Sequence, residues 1–380
     1  MNDKHKRISQ LDVMRGAAVV AMVLGHSIDA LLSPDIRASE LYRLYDFARG
    51  FTAPVFLLLS GFAFAAATER RWVDYTRPSV VLMRRFFRVM MLFAIGYALH
   101  FPFFSLGKIL LNTTPGEYAR FYKVDVLQCV AAGVLLLQGM VLVSRSPHRF
   151  AATALSAGAL VTVMTPIVWN TDFSAFLPRV LTPYLNEQHP SLFPLFPYAA
   201  YMFFGAAAGH AYLRAAASGQ ERFMLKVLLA GGGAAIAAGL TLDLLPLQLY
   251  PSHDYWKASP SIILIRTGVV LAVTSLVFSI ERISPSLSDN ARVLGKSSLL
   301  VYAAHIPLIY GSAISPGLAQ AVGRTLSLPS TIGLACGVLL LMLALVHLVA
   351  FMRENFRRPL RFAQVGLACS LLYMFLTKPY

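Results

Sequence analysis

The sequence predicts an all-α, polytopic integral-membrane helix bundle, and three observations carry that prediction. Hydrophobic residues make up 57% of the 380-residue chain and charged residues 13%, a balance foreign to a water-soluble globule. Apolar stretches of membrane-crossing length recur from end to end, separated by short polar segments. The polar segments also alternate in basicity. Those at 1–7, 69–88, 144–149, 214–226, 281–296 and 353–361 hold 21 Lys and Arg, against 10 at 34–49, 107–123, 169–190, 247–260, 314–328 and 377–380. This bias places the amino terminus in the cytoplasm. It also makes the net charge of +15 chiefly a topology signal. No nucleic-acid partner is therefore expected, and the bilayer itself is the main partner, with a smaller share of the charge left for anionic lipid or an anionic cytosolic ligand.

About eleven spans are expected, within a range of roughly ten to twelve because several are short or carry Gly and Pro. The first, 11–33, is too long for a signal peptide and no small-residue cleavage site follows it, so it is expected to remain. The second lies near 47–68, and the third, 86–106, follows the basic cluster Arg84, Arg85 and Arg88. The fourth, 124–143, opens on Asp125 and Gln128, and the fifth covers 150–168. A longer segment, 169–191, then carries aromatics and prolines that suit a lid at the membrane surface. The sixth span, 192–213, begins with Phe193-Pro194 and Phe196-Pro197, natural for a helix start at an interface. The seventh, 224–246, contains Gly231-Gly232-Gly233 in an Ala-rich run, which reads as close helix packing. The eighth to eleventh lie near 261–280, 297–313, 329–352 and 362–376. No repeat, low-complexity tract or long soluble loop interrupts the series, so 1–380 reads as a single membrane domain. Cys129, Cys336 and Cys369 are isolated in apolar stretches and read as small packing residues without metal-ligand spacing.

The first span carries the strongest chemical signal. Arg15 and His26 stand in LDVMRGAAVVAMVLGHSIDALL, flanked by Asp12 and Asp29. At 100° per residue these four groups share one side of a helix, with Arg15 and His26 about 16 Å apart along it. Ionisable groups inside a span are costly and mark function by default, so the stripe is expected to face protein or a water-filled cavity. Pairing of Asp12 with Arg15 at the inner edge is an equally good account of those two residues. It does not account for His26, which lies well inside the apolar run. Imidazole suits proton transfer near neutral pH, and Asp29, one turn on, is placed to orient it or stabilise its charged form. Arg15 is too distant for that chemistry and better placed for an anionic group arriving from the cytoplasm.

Weaker candidates follow. His305, with Tyr302 one turn before it, lies on an apolar helix where a lone histidine is more often a satisfied core residue. His100, His210 and His347 sit nearer span ends and read as structural. Arg84, Arg85 and Arg88 serve as a positive-inside anchor or as a dock for phosphates, with Arg70, Arg71 and Lys296 as possible helpers. Asp125 and Gln128 fit an acceptor contact or a helix cap equally. H-E-x-x-H and G-x-S-x-G are absent, which leaves hydrolase and metal-enzyme readings unsupported and no metal expected.

Taken together, RISQLDVMRG with LGH at 7–26, FTAPVFLLLSGFAFA at 51–65, DVLQCVAAGVLL at 125–136, FPLFPYAAYMFFGAAAGH at 193–210 and LGKSSLLVYAAHIPLIY at 294–310 resemble the membrane-bound acyltransferases. Arg15-x10-His26 is similar to the acyltransferase-3 pattern; the second and fourth blocks look more like the branch around heparan-alpha-glucosaminide N-acetyltransferase. The catalytic histidine of that branch lies further along than His26, and no histidine occurs between 27 and 99 here. The resemblance implies transfer of an acyl group, typically acetyl, from a cytosolic acyl-CoA to a glycan or sugar hydroxyl or amine. On this reading His26, Asp29 and His305 are catalytic, and Arg15, Arg84, Arg85 and Arg88 bind the donor. A bacterial cytoplasmic (inner) membrane fits the chain's size. The alternative is a proton-coupled transporter or flippase using the same charged stripe.

Overall fold

The computed structural model describes residues 8–245, 250–283 and 289–378. The basic segment 1–7, and parts of the loops read at 247–260, 281–296 and 377–380, lie outside the described residues. The helices run α1 (Ser9–Leu31), α2 (Pro34–Arg37), α3 (Glu40–Arg49), α4 (Thr52–Glu69), α5 (Trp72–Thr76), α6 (Val80–Ala98), α7 (Leu106–Asn112), α8 (Pro115–Phe121), α9 (Val126–Val143) and α10 (Pro147–Trp169). They continue as α11 (Leu195–Ala217), α12 (Glu221–Leu244), α13 (Tyr255–Ala258), α14 (Pro260–Ile283), α15 (Asp289–Lys296), α16 (Ser298–Tyr310), α17 (Leu318–Ala321), α18 (Leu328–Asn355) and α19 (Arg357–Thr377). Among the described residues there is no strand, only the isolated bridges Leu32–Leu326 and Val124–Ser191. The all-α expectation holds.

Among the described residues, eight helical segments are long and apolar enough to cross a membrane, or nine if α15 and α16, bent by 78° at their junction, count as one span. The third and sixth apolar stretches are helical but fall short of that measure. In α6 the cause is three arginines; in α11 it is the His, Tyr, Pro and Gly set among its apolar residues.

The chain divides into two compact units, one of residues 1–14, 50–96 and 122–288, the other of 15–49, 97–121 and 289–380. In the first, α11 is the buried element, packed against α4 and α10. Small residues make this possible: a Cβ on Gly61 would strike the Met202 carbonyl, and one on Gly205 would strike that of Leu58. Backbones this close exchange dispersion contacts that larger side chains would forbid. Tyr201, Met202, Leu57, Leu58 and Phe150 are buried around the contact. Between α12 and α14, Gly232 faces Gly268 in the same way, while Gly231 and Gly233 meet open space. Of the three glycines expected to pack, one does. Asp125 and Gln128 form a capping box on α9, which selects the helix-cap reading for that pair. The 169–191 segment is held down by its own polar groups. The Asn186 amide donates to the Val168 and Thr171 carbonyls at 2.8 Å each, and Glu187 pairs with Lys257 at 2.7 Å. Cys129 packs in the core as expected, but Cys336 and Cys369 lie on exposed helix faces among residues such as Leu340 and Leu372, suited to lipid.

In the second unit, a Cβ on Gly16 would strike the Ala291 carbonyl, so α1 and α15 are in backbone contact. The end of α1 is tied to the segment before α18: Ser33 N–H donates to the Leu326 carbonyl at 3.1 Å, and Leu326 N–H to that of Leu31 at 3.1 Å. Helix α16 stops at Gly311, whose φ of +82° is open to glycine and strained for other residues. The chain there folds back, and the Gln320 amide donates to the Tyr310 carbonyl at 2.7 Å. That bond fixes the last residue of α16 beside the last turns of α1.

Candidate functional site

Within the second unit, α1 and α16 bring His26, Asp29, His305 and Tyr310 together. His305 is fully buried, and its ring centroid lies 5.4 Å from that of His26. Tyr310 stands between His26 and Asp29: its Oη is 3.2 Å from His26 Nδ1 and 3.3 Å from Asp29 Oδ2. It is also 3.3 Å from the His26 carbonyl. Asp29 is reached by three guanidinium groups, at 3.3 Å from Arg37, 3.7 Å from Arg49 and 3.8 Å from Arg324.

These contacts decide proton positions. The Asp29 carboxylate and the His26 carbonyl, each 3.3 Å from Tyr310 Oη, can only accept, so the hydroxyl proton is directed to these two and the oxygen accepts from His26 Nδ1–H. The neutral His26 ring then carries its lone pair on Nε2. His305 arrives at the same tautomer by a local route, because its Nδ1 lies 2.7 Å from the Val301 carbonyl and a carbonyl cannot donate. Both imidazoles therefore present Nε2 as the basic atom. The direct Asp29–His26 contact expected from their one-turn spacing is replaced by a relay through Tyr310.

Arg37 explains how Asp29 is held. Its Nε donates to the Leu32 carbonyl at 3.1 Å, and its Nη2 reaches the Ile28 and Asp29 carbonyls. The Asp29 and Leu32 carbonyls are left open by the end of α1, while that of Ile28 also takes the Leu32 N–H, and a cation there complements the helix dipole.

The other expected residues lie elsewhere. Asp12 is buried near the start of α1, and Arg15, half-buried, lies about 16 Å along the helix from His26. Arg84, Arg85 and Arg88 belong to the first unit, and the structure separates them. Arg84 and Arg88 are exposed, whereas Arg85 turns inward. Its guanidinium donates to Gln138 Oε1 at 2.8 Å and Thr68 Oγ1 at 3.0 Å, and stacks 3.5 Å from the Tyr75 ring centroid. Arg85 thus joins α4, α5, α6 and α9. His210, read as structural, is buried and paired with Glu69 at 2.7 Å, with His148 beside it along an open cavity that Arg214 also lines. His347 is exposed on α18.

The model of the heparan-alpha-glucosaminide N-acetyltransferase catalytic family matches residues 7–237. The chain belongs to this family. That agrees with the resemblance read from the blocks at 7–26, 51–65, 125–136 and 193–210; the block at 294–310 lies beyond the match. No curated relative matches the chain. The family region includes His26, Asp29, Arg37 and Arg49, and ends before His305, Tyr310 and Arg324. Three of these seven residues are thus supplied by sequence outside it. The last three residues, and Arg37 and Arg49, show how much the one-helix view misses. Only His305 among the five has a signal in the sequence, a histidine in an apolar run. The arginines are conspicuous only in hindsight, as cations in segments poor in Lys and Arg.

Proposed function

We propose that the chain, acting over 1–380 as one membrane domain of about eleven spans with its amino terminus in the cytoplasm, is an integral-membrane acetyltransferase. It moves an acetyl group from cytosolic acetyl-CoA to a hydroxyl or amine of a sugar or glycan, in a bacterial inner membrane. The observation that carries this reading is the Asp29–Tyr310–His26 relay in a chain of an acetyltransferase family.

His26 Nε2 takes the proton of the acceptor as its oxygen or nitrogen attacks the thioester carbonyl carbon. The carbon–sulfur bond breaks, and coenzyme A leaves as a thiolate that recovers the proton. The imidazolium formed on the way is stabilised through Tyr310 by the Asp29 charge, the task a carboxylate performs in a catalytic triad. His305, with its own Nε2 lone pair 5.4 Å away between ring centroids, supplies a second base for the proton's return. For the donor, exposed Arg84 and Arg88 are the phosphate contacts, and Arg15 a further cation on the cytoplasmic side. Arg85 is spent on packing.

The test uses membranes supplied with acetyl-CoA and a sugar acceptor panel, beside mass spectrometry of envelope glycans from cells with and without the protein. Glycans should differ by acetyl-sized increments, and His26→Ala should abolish the transfer. Wild-type transfer by His26→Ala would overturn the assignment.

A further inference from the structure

The acyl-transfer reading leaves the acceptor undefined beyond a sugar, and the charges around Asp29 narrow it. The segments assigned to the outer side are poor in Lys and Arg, yet three of their arginines converge on this one carboxylate. They are not equivalent. Arg37 is consumed by the carbonyls that end α1. Arg49 gives its Nε and Nη2 to Asp46, at 3.0 and 2.7 Å, and its Nη1 stops 3.7 Å short of Asp29. Among the described residues, Arg324 is anchored by Nε alone, 3.2 Å from the Asp29 carbonyl. Its Nη2 stays 3.8 Å from the carboxylate, beyond hydrogen-bond range, and its side chain is 56% exposed. Counting Asp29 and Asp46 against the three guanidinium groups leaves one positive charge in excess beside His26. An oriented guanidinium with unspent N–H donors is an anion receptor of the forked type that carboxylates and phosphates fit.

We infer that the acceptor sugar carries an anionic oxygen group, carboxylate or phosphate, which Arg324 grips, with Arg49 Nη1 as second contact, while the acylated hydroxyl or amine lies at His26. This inference rests on the acyl-transfer reading for the identity of the reacting group. Arg324 stands outside residues 7–237, so this recognition is a feature of this chain beyond the matched family region.

The experiment measures binding of methyl glucoside, methyl glucuronide and glucose 6-phosphate to the purified full chain in detergent by calorimetry at low ionic strength. Wild type should bind one or both anionic sugars about tenfold more tightly than the glucoside, the size of one charge-assisted hydrogen bond. The better of the two anionic sugars identifies the group as carboxylate or phosphate. Arg324→Gln should lose the preference and keep glucoside binding, Arg324→Lys should restore part of it, and Arg120→Gln, at another exposed outer-side arginine, should leave it intact. Equal binding of all three sugars by wild type, or an undiminished preference in Arg324→Gln, overturns the inference. Acetyl transfer to the same sugars is read separately. Preference without transfer would count against the acyl-transfer reading while upholding the anion site, and transfer without preference would do the reverse.

Discussion

Replacing Tyr310 with Phe removes one oxygen atom and cuts His26 off from Asp29. The ring stays, so its edge-on contact with His26, 5.6 Å between centroids, and the α16 backbone bond to Gln320 are kept. What is lost is the acceptor for His26 Nδ1–H and the path by which the Asp29 charge reaches the imidazolium. Hydrogen bonds to charged groups contribute about 1.5–3 kcal/mol. The two relay contacts, at 3.2 and 3.3 Å, are long for a hydroxyl, which argues for the lower end. At about 1.4 kcal/mol per decade this is roughly a tenfold loss in kcat/KM. Asp29→Asn should cost a similar factor. Because both residues serve one path, the double variant should lose little more than either alone. The assay is release of coenzyme A thiol from acetyl-CoA in detergent, with acceptor present and absent. A Tyr310→Phe protein within twofold of wild type, or fully additive losses in the double variant, would refute the relay.

His305→Asn keeps a donor for the Val301 carbonyl and removes Nε2. It should leave the protein monodisperse and lower turnover at least about 100-fold, the usual share of a general base; full activity would reduce His305 to a core residue. Arg85→Met should lower stability by about 3 kcal/mol, since two hydrogen bonds and a ring contact go, whereas Arg84→Met should change it by less than about 0.5 kcal/mol, as thermal unfolding in detergent can show. Gly205→Val drives a side chain into the Leu58 carbonyl and should cost about 3 kcal/mol or prevent accumulation of folded protein, checked by size-exclusion profile. The Ser174 N–H, 2.8 Å from Asp172, holds that carboxyl below the usual range. A lowered folded value means the turn keeps its full support above the ordinary carboxylate pKa and loses it as pH falls through the lowered one. Protection of the Ser174 amide, corrected for intrinsic exchange, should therefore hold from pH 7 to about 5 and fall only in stronger acid.

The first helix shows how far one-dimensional reasoning reaches. Period and cost placed Arg15, His26 and Asp29 on one side of a span, and that much needs only helix geometry and the price of a charge in hydrocarbon. The same reasoning paired Asp29 with His26 directly, because the nearest partner in sequence is one turn away. A tyrosine 281 residues from Asp29 takes that place instead. Arg85 shows the converse error. In sequence it is one of three alike; in the fold, Gln138, Thr68 and Tyr75 give it an interior environment its neighbours lack.

The amino-acid sequence by itself determined that this is a helical membrane protein, where its apolar stretches lie, to which family it is related, and that His26 is out of place in its span. Those are properties of composition and local period, since solvation cost and helix propensity act residue by residue. Only the tertiary structure decided who stands next to His26 and which arginine has donors left to offer. Gly311 turns the chain back at the end of α16, and Gln320 pins Tyr310 there beside the end of α1, where Arg37 and Arg324 both reach the Asp29 carbonyl. Hydrogen bonds are directional and reach about 3 Å, so no spacing along the chain encodes a partner that folding alone brings within range.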